Sequence, residues 1–340
     1  MRKIITTIAL TTAMVLGAMM TNAQPVHSFS VKIGIDHESV DSLGGRKNVE
    51  RLITDMFRRI NKAFNYDARF EAIYHFEVDW DAFYIYKGIS TKEVFKPHPN
   101  HDYLVVMDGY KSDPKEQGGG WYGDKIQTVY HARTHNDRFN SPFEPGAIDG
   151  IIHEFGHARG IPDIYAMKVD ADKNPINGQP FLGTRCIMDY PYGETYWSDY
   201  AVNMINLAGG RNIDIDDVVM KAVPDNIVIK ARWADGKVVE SATVKCYPVG
   251  WYSYTVQKQP VFTTEIVKKG EVKFPTKEVF SRDKEFGVKY SNCLVEVEAE
   301  GKKGYAWIPL YYLQNCWFDG KDSCELEITL KRDIKLTRDI

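Results

Sequence analysis

The residues best suited to chemistry lie in one short stretch of the chain, residues 149–165. Within it, His153, Glu154 and His157 form the pattern H-E-x-x-H. Positions four apart lie on one face of a helix, so both imidazoles can reach the same ion. Glu154 sits to one side of that ion, where it can take a proton from a metal-bound water. The motif alone is short and also occurs as an exposed His/Glu pair, so the residues that follow it decide its meaning.

The residues after the motif favour a metal site with an open position. Gly160 can adopt the left-handed conformation that ends a helix, and Pro162 opposes its continuation. Asp163 can therefore return to the site as a third ligand, through oxygen. Two nitrogens, one carboxylate and an open fourth position are typical of a catalytic zinc ion. We therefore expect zinc to bind at His153, His157 and Asp163.

A second motif follows at residues 185–192, which read Arg-Cys-Ile-Met-Asp-Tyr-Pro-Tyr. Together the two motifs resemble the metzincin clan of zinc endopeptidases, in which a methionine-containing turn lies beneath the metal. Met188 matches that methionine, and Tyr190 matches a tyrosine that some branches carry two residues later. The usual third ligand of the clan is histidine. Asp163 departs from this and is similar to the H-E-x-x-H-x-x-G-x-x-D branches, such as the snapalysins and the immune-inhibitor-A-like peptidases.

The resemblance implies a zinc metalloendopeptidase in which Glu154 is the general base for a zinc-bound water. It also implies that Tyr190 is a metal or transition-state partner, although Met188 as a core methionine and Tyr190 as a turn tyrosine are the plainer interpretations. Two other functions stay open. One is a zinc hydrolase specific for glycoprotein or cell-wall peptide, guided by a carbohydrate-binding β-domain. The other is a non-enzymatic surface-binding protein with a vestigial site, which is disfavoured because Glu154 serves catalysis rather than ligation.

The segments around the motif have the order of elements found in a zincin. Apolar patterning predicts strands at 30–36, 69–86 (a strand or hairpin), 103–107 and 127–131, and helices at 45–64 and 200–207. By resemblance, the last strand before the metal helix is the sheet edge that pairs with an extended substrate. The expected fold of residues 24–224 is thus an α+β zincin-like catalytic domain.

From residue 225 onward the chain changes character. Short alternating segments follow one another at 227–233, 238–247, 253–257, 261–266, 271–274, 286–299, 304–312 and 324–331. A helical period of useful length is not visible there. The pattern predicts that residues 225–340 form an all-β sandwich of the Ig-like or transthyretin-like sort. Its aromatic residues could form a sugar-binding or protein-binding surface, but core and turn positions are the plainer assignment.

Residues 1–23 have the pattern of a secretory signal peptide. They carry Arg2 and Lys3, then an apolar run, then small residues before a cleavage point near Ala23. We therefore expect a secreted or periplasmic protein without a membrane span in the mature chain. A net charge of -3 lacks the basic footprint of nucleic-acid binding. The expected partner is a protein or glycoprotein substrate, and the expected state is a monomer.

The cysteines and one acidic loop leave two questions open. An oxidising compartment would favour disulfides, but the chain has five cysteines, an odd number. Candidate pairs are Cys316 with Cys324 and Cys246 with Cys293, which leaves Cys186 free near the zinc.

The acidic loop is Asp170, Asp172 and Asn174, which imitates the start of a calcium loop. Pro175 stands where an EF-hand needs glycine, which excludes that motif. Calcium is therefore the less favoured second cofactor, and a solvated acidic loop is the plainer interpretation.

Overall fold

The computed structural model describes residues 24–88, 90–108, 120–129, 141–190, 196–211, 220–281 and 290–331. In these ranges the chain is a mixed α/β protein with three sheets. The helices are α1 (His37–Ser42), α2 (Arg46–Ala63), α3 (Ser90–Val94), α4 (Pro145–Ala158), α5 (Asp199–Ala208) and α6 (Leu310–Phe318). The strands are β1 (Val26–Asp36), β2 (Ile73–Val78), β3 (Tyr84–Tyr86), β4 (Tyr103–Asp108), β5 (Gly120–Tyr122), β6 (Lys125–Val129), β7 (Asn226–Trp233), β8 (Ser241–Gly250), β9 (Phe262–Val267), β10 (Glu271–Pro275), β11 (Tyr290–Ala299), β12 (Lys302–Pro309) and β13 (Ser323–Leu330).

Strands β1 to β6 form the first sheet, in the order β2-β1-β4-β6-β5, and β3 also pairs with β1. Strands β2, β3 and β4 run parallel to β1, and β6 runs parallel to β4. Every residue of β4 is buried, because both faces of this strand are covered. One face shares a core with α2 and α4, and the other packs against Val94 of α3. We call β1–β6 with α1–α5 the first unit.

The structure corrects two expectations about this sheet. The hairpin alternative for 69–86 is wrong, since β2 and β3 both run parallel to β1. The Asp79 side chain accepts hydrogen bonds from the backbone N–H groups of Asp81 and Ala82, which turns the chain aside without reversing it. The sheet edge is β5 rather than the strand at 125–129, because Gly123, at φ 72°, folds β5 back antiparallel to β6.

Strands β7 to β13 form two further sheets, in the orders β10-β7-β13 and β12-β11-β8-β9. Side chains from both sheets meet in one core, for example Ile229 and Ile328 from one sheet with Val244 and Val295 from the other. Strand β13 alternates buried and outward residues along its whole length, as expected for a strand with one face on a core. We call β7–β13 with α6 the second unit. The domain boundary at 224/225 stays a prediction.

The second unit also contains a helix that the sequence pattern does not predict. Helix α6 begins inside the segment expected to be a strand at 304–312, so the expectation of no helix in this half is wrong. Leu310, Leu313 and Gln314 are buried at helical spacing, together with Cys316. The adjacent Tyr311 and other aromatic residues favour a strand locally, and burial against the core overrides that preference.

The two units pack together through residues 165–181, which we call the interface segment. Val169 and Phe181 from this segment contact the outer face of the β8–β11–β12 sheet near Leu294. The Asn292 side chain donates a hydrogen bond to the Met167 carbonyl over 3.0 Å. No helix in the described ranges combines the length and the apolar composition that a membrane span requires.

Candidate metal centre

Helix α4 carries both histidines of the first motif into the core of the first unit. Pro145 occupies its first turn, where a missing N–H costs no helical hydrogen bond. One face, including Ile151 and Phe155, packs into the apolar core. An ion pair between the buried Asp149 carboxylate and the partly exposed Arg59 guanidinium, 2.6 Å apart, joins α4 to α2. The helix that presents the histidines is thus fixed by both packing and charge.

The helix ends where the sequence analysis expects it to end. Gly160 has φ 84°, in the left-handed region. Its N–H donates to the His157 carbonyl over 2.8 Å, and the Ile161 N–H donates to the Gly156 carbonyl over 3.2 Å. The chain then turns back, so that Asp163 lies beside the two histidines.

The three expected ligands converge. Asp163 Oδ1 lies 3.1 Å from Nε2 of His153 and 3.2 Å from Nε2 of His157. Candidate ligand atoms of all three residues lie within 4.8 Å of one another, and all three residues are buried. In the described part of the chain, no other group of three or more His, Cys, Asp or Glu residues has this closeness.

The geometry fits an ion held between these atoms. Asp163 Oδ1 is buried, and no donor is aligned on it in good hydrogen-bond geometry, although both imidazole nitrogens are close. Two nitrogens and an oxygen on a tetrahedral zinc, at about 2.0–2.1 Å from the metal, are roughly 3.3 Å apart. The observed separations of 3.1 and 3.2 Å are close to that value. The residues present therefore suit a zinc ion.

The outer nitrogens of both imidazoles contact backbone carbonyls. Nδ1 of His153 lies 3.0 Å from the Ile187 oxygen, and Nδ1 of His157 lies 2.7 Å from the Ile161 oxygen. A carbonyl can only accept, so each Nδ1 carries the proton and donates it. This leaves the Nε2 lone pairs available to a metal, the arrangement found around ligating histidines.

Charge in the centre is balanced between the three ligands. Burial alone lowers the pKa of His157, but the Asp163 carboxylate outweighs this and raises the pKa to about 9. Burial alone would raise the pKa of Asp163. The two imidazoles have the larger, opposite effect and hold that pKa well below its usual range. The metal-free site therefore holds protons that a divalent ion displaces on binding.

Glu154 lies next to His153 in sequence and is only half-buried, unlike the ligands. Burial raises the pKa of its carboxyl, and the neighbouring His157 and His153 oppose that rise. A carboxylate with a raised pKa is better matched to proton transfer near neutral pH than an ordinary surface glutamate.

The methionine of the second motif lies directly under helix α4. Met188 is fully buried, and a Cβ added at Gly156 would lie 2.6 Å from its sulfur. The Met188 carbonyl accepts a hydrogen bond from the Ile164 N–H over 3.0 Å, next to Asp163. Met188 thus packs against the helix that carries the two histidines, and its role as the methionine of a metzincin turn stays a prediction. Tyr190 is 56 % exposed, and its role as a catalytic partner stays a prediction.

Two tyrosines that the sequence analysis did not assign to the site contact Asp163. The Tyr252 hydroxyl donates a hydrogen bond to Asp163 Oδ2. Tyr165 stacks on His153 with ring centroids 6.3 Å apart, and burial, the charge of Asp163 and a hydrogen bond to it raise the pKa of the Tyr165 phenol. Tyr252 belongs to a loop of the second unit, where the strand expected at 253–257 is reduced to a single bridge. Its only sequence signal is a general enrichment in aromatics.

The other sequence-predicted residues lie elsewhere. Asp170 and Asp172 are exposed, and the Asn174 side chain makes hydrogen bonds within its own loop, to Asn177 and to the Gln179 carbonyl. Calcium therefore remains an untested prediction.

The five cysteines are buried thiols. Cys316 on α6 and Cys324 on β13 have sulfurs 2.8 Å apart. Cys246 and Cys293 lie on the adjacent strands β8 and β11. Cys186 lies in the turn that contains Met188.

Three side chains able to hold a metal ion converge at the site, and the charges of all three act on the carboxyl of the neighbouring Glu154. Comparison of the chain with models of known protein families and with curated proteins gives no match.

Proposed function

We propose that the protein is a zinc-dependent endopeptidase of the metzincin type. His153, His157 and Asp163 hold the zinc, and Glu154 is the general base. The observation that carries the proposal is the convergence of two imidazole nitrogens and one carboxylate oxygen, with a half-buried glutamate adjacent to the first ligand. Three ligands of this kind with an open fourth position are typical of hydrolytic zinc sites.

The residues of the chain take separate parts in peptide hydrolysis. Zinc at this site supplies a Lewis acid that acidifies water and polarises a carbonyl. The Glu154 carboxylate accepts a proton from the water as it attacks the peptide carbonyl carbon, and later donates that proton to the leaving amine nitrogen. His153 and His157 keep their orientation through their Nδ1 contacts with the backbone. Tyr190 is proposed as a further donor to the developing negative charge.

The edge strand β5 is the proposed binding surface for the substrate backbone. It is antiparallel to its neighbour β6, and the Trp121 ring lies 5.7 Å from the His157 ring. An extended peptide can add to a free sheet edge through backbone hydrogen bonds. Such a peptide would pass alongside the metal ligands.

We also propose a fold for each unit and an extracellular or periplasmic location for the protein. The first unit would be a zincin-like catalytic domain, and the second an Ig-like or transthyretin-like sandwich. The two small sheets with a common core support the second assignment. Secretion rests on residues 1–23, which lie outside the described residues.

Zinc content and casein cleavage, each with and without a chelator, test the proposal. We expect one zinc per chain, cleavage that stops when the chelator removes it, and recovery when zinc is restored. His157→Ala serves as the matched variant and should lose both zinc and activity. A protein that contains no zinc, or casein cleavage that continues unchanged in the presence of the chelator, would contradict the proposal.

A further inference from the structure

The second unit contacts the candidate metal centre through the side chain of Tyr252. Its hydroxyl donates to Asp163 Oδ2, whereas Asp163 Oδ1 is the oxygen that lies 3.1 and 3.2 Å from the two imidazole nitrogens. The hydrogen bond therefore involves Oδ2, the carboxylate oxygen that is not needed as a metal ligand. It fixes the rotation of the carboxylate so that Oδ1 faces the histidines.

We infer that Tyr252 is a positioning residue for the third metal ligand, so that the zinc affinity of the first unit depends on the second. The inference rests on the proposed zinc site and deepens it. Tyr252 acts through Asp163 and has no part in proton transfer. The prediction concerns metal affinity, which can be measured whether or not the protein cleaves peptides.

The loop that carries Tyr252 is held in an unusual conformation. Tyr252 and Tyr254 both have φ 56°, in the left-handed region that residues with a Cβ rarely adopt. Such backbone persists only where the surrounding structure determines it, and it is common at functional sites. Here the Ser253 N–H donates to the Gly250 carbonyl over 3.0 Å, which closes the turn. The conformation aims the hydroxyl of Tyr252 at Asp163.

The same loop is joined directly to the first unit. The Val256 N–H donates to the Lys173 carbonyl, in the interface segment, over 3.0 Å. Val256 also forms a bridge with Val249 of β8. The loop is therefore fixed at its far end to the same stretch of chain that follows Asp163.

Asp163 is fixed to the second unit in turn. Three residues after it, the Ala166 carbonyl accepts a hydrogen bond from the Ser291 hydroxyl over 3.2 Å, and the next carbonyl, of Met167, accepts from Asn292 over 3.0 Å. Ser291 and Asn292 are fully buried on β11, the strand paired with β8. Both partners of the Tyr252–Asp163 bond are thus held by one sheet, and their separation is set by that sheet.

The expected effect follows from the behaviour of groups that orient metal ligands. Removing a hydrogen-bond partner of a ligand lowers metal affinity by about 10- to 100-fold in comparable sites. Without the Tyr252 hydroxyl, the Asp163 carboxylate loses the hydrogen bond to Oδ2 and must lose more freedom as the metal binds. The loss should therefore appear in the zinc dissociation constant.

The test compares Tyr252→Phe with Tyr254→Phe in the full chain. Tyr254 shares the loop and the left-handed backbone, but burial and the charge of Asp163 raise the pKa of its phenol without a hydrogen bond between the two. Zinc affinity is measured by competition with a chromophoric chelator, and the visible spectrum of the cobalt(II)-substituted protein reports on ligand geometry. We expect Tyr252→Phe to bind zinc about 10- to 100-fold more weakly and to change the cobalt spectrum. Tyr254→Phe should match the parent in both.

Urea unfolding of the metal-free proteins separates positioning from a loss of stability. Equal unfolding midpoints with weaker zinc binding in Tyr252→Phe support the inference. Parent-like zinc affinity in Tyr252→Phe overturns it and leaves the proposed function standing. Weaker zinc binding in a protein that cleaves nothing supports the inference and contradicts the proposed function. A parent protein that binds no zinc overturns both.

Discussion

Replacing Glu154 with glutamine removes a proton acceptor and leaves the three ligands unchanged. Glu154 is half-buried and is not one of the three converging residues. Loss of a general base lowers rates by about 10²- to 10⁴-fold. We therefore expect kcat/KM on a quenched fluorescent peptide to fall by about that factor, at unchanged zinc content.

The control is Glu71→Gln, which makes the same acid-to-amide change at an exposed position just before β2 in the first unit. It should keep the parent's activity. A Glu154→Gln variant that cuts as fast as the parent would remove Glu154 from the mechanism. A variant that loses zinc would make Glu154 a ligand.

Gly156 allows helix α4 to lie close to the methionine turn. A Cβ at this position would lie 2.6 Å from the Met188 sulfur and 3.2 Å from the Trp197 ring, and both side chains are fully buried. Overpacking of this kind costs about 1–3 kcal/mol, and the better helix propensity of alanine returns up to about 1 kcal/mol. We expect Gly156→Ala to lower the free energy of unfolding by about 1–2 kcal/mol in urea titrations.

A double-mutant cycle with Met188→Ala identifies the contact responsible. If the methionine sulfur is the obstacle, Met188→Ala costs less in the Gly156→Ala background than in the parent. Additive effects, or a Gly156→Ala protein as stable as the parent, would show that the helix and the turn can separate without cost.

Site residues whose geometry is local can be predicted from the sequence, whereas those placed by tertiary structure cannot. His153, His157 and Asp163 lie within one helix and the turn after it, so their spacing predicts their closeness. Tyr252 lies 89 residues from Asp163 and reaches it only through the packing of the two units. A left-handed tyrosine has no sequence signature, because its conformation depends on what surrounds it.

At the level of elements, strands β8, β11 and β12 surround one nearly buried carboxylate, that of Glu296. It accepts hydrogen bonds from the Tyr305 hydroxyl over 2.9 Å and from the Lys303 ammonium over 3.0 Å. Burial alone raises the pKa of Glu296, but Lys303, Tyr305 and Lys245 outweigh it and lower that pKa below its ordinary value of 4.5. The three strands are thus held by a carboxylate that favours its charged form.

This shift makes part of the stability depend on pH. The unfolded chain takes up a proton at Glu296 as the pH falls through 4.5, while the folded chain resists protonation. The contribution is therefore complete above that pH and is lost as the pH falls through the lowered folded pKa. We expect Glu296→Gln to be less stable than the parent at neutral pH and to lose less stability on acidification. Urea unfolding at several values between about pH 6 and about pH 3 measures the difference.

The matched control is Glu325→Gln, which removes a carboxylate that is 58 % exposed on β13. An exposed pair of this kind contributes little to stability. The acid response of Glu325→Gln should follow that of the parent. If Glu296→Gln follows it as well, the buried network does not stabilise the sheet.

Several elements escape sequence patterns for a shared reason. Strand β5 has three residues, and helix α6 carries aromatics that favour a strand. A strand as short as β5 forms only because it pairs with β6. For α6, burial against the core determines the conformation, so local propensity is a weak guide. By contrast, β1, β4 and α2 have long, regular patterns, and the sequence places them within a few residues.

At the level of the whole molecule, zinc should stabilise both units. An ion that binds only the folded protein adds about 2.7 kcal/mol to the free energy of unfolding when its free concentration is 100 times the dissociation constant. Because Tyr252 contacts Asp163, we expect chelation to lower hydrogen-exchange protection in residues 250–256 as well as in α4. Mass spectrometry of the exchanging full chain, with and without chelator, makes this measurement.

In the Tyr252→Phe variant, α4 and residues 250–256 should no longer respond to chelation together. Chelation would then change protection in α4 and leave residues 250–256 nearly unaffected. A parent protein in which chelation changes α4 alone would show that the units respond to the metal independently.

Because the chain is synthesised from its N-terminus, Tyr252 is added some time after Asp163. Synthesis at about 5–20 residues per second separates the two residues by roughly 4 to 18 seconds. During that interval a nascent chain carries the two histidines and the aspartate without the tyrosine that orients the carboxylate. On the inference above, tight zinc capture comes late in biosynthesis, after the second unit has emerged and folded. The order of synthesis would thus delay assembly of the proposed metal site until the second unit has folded.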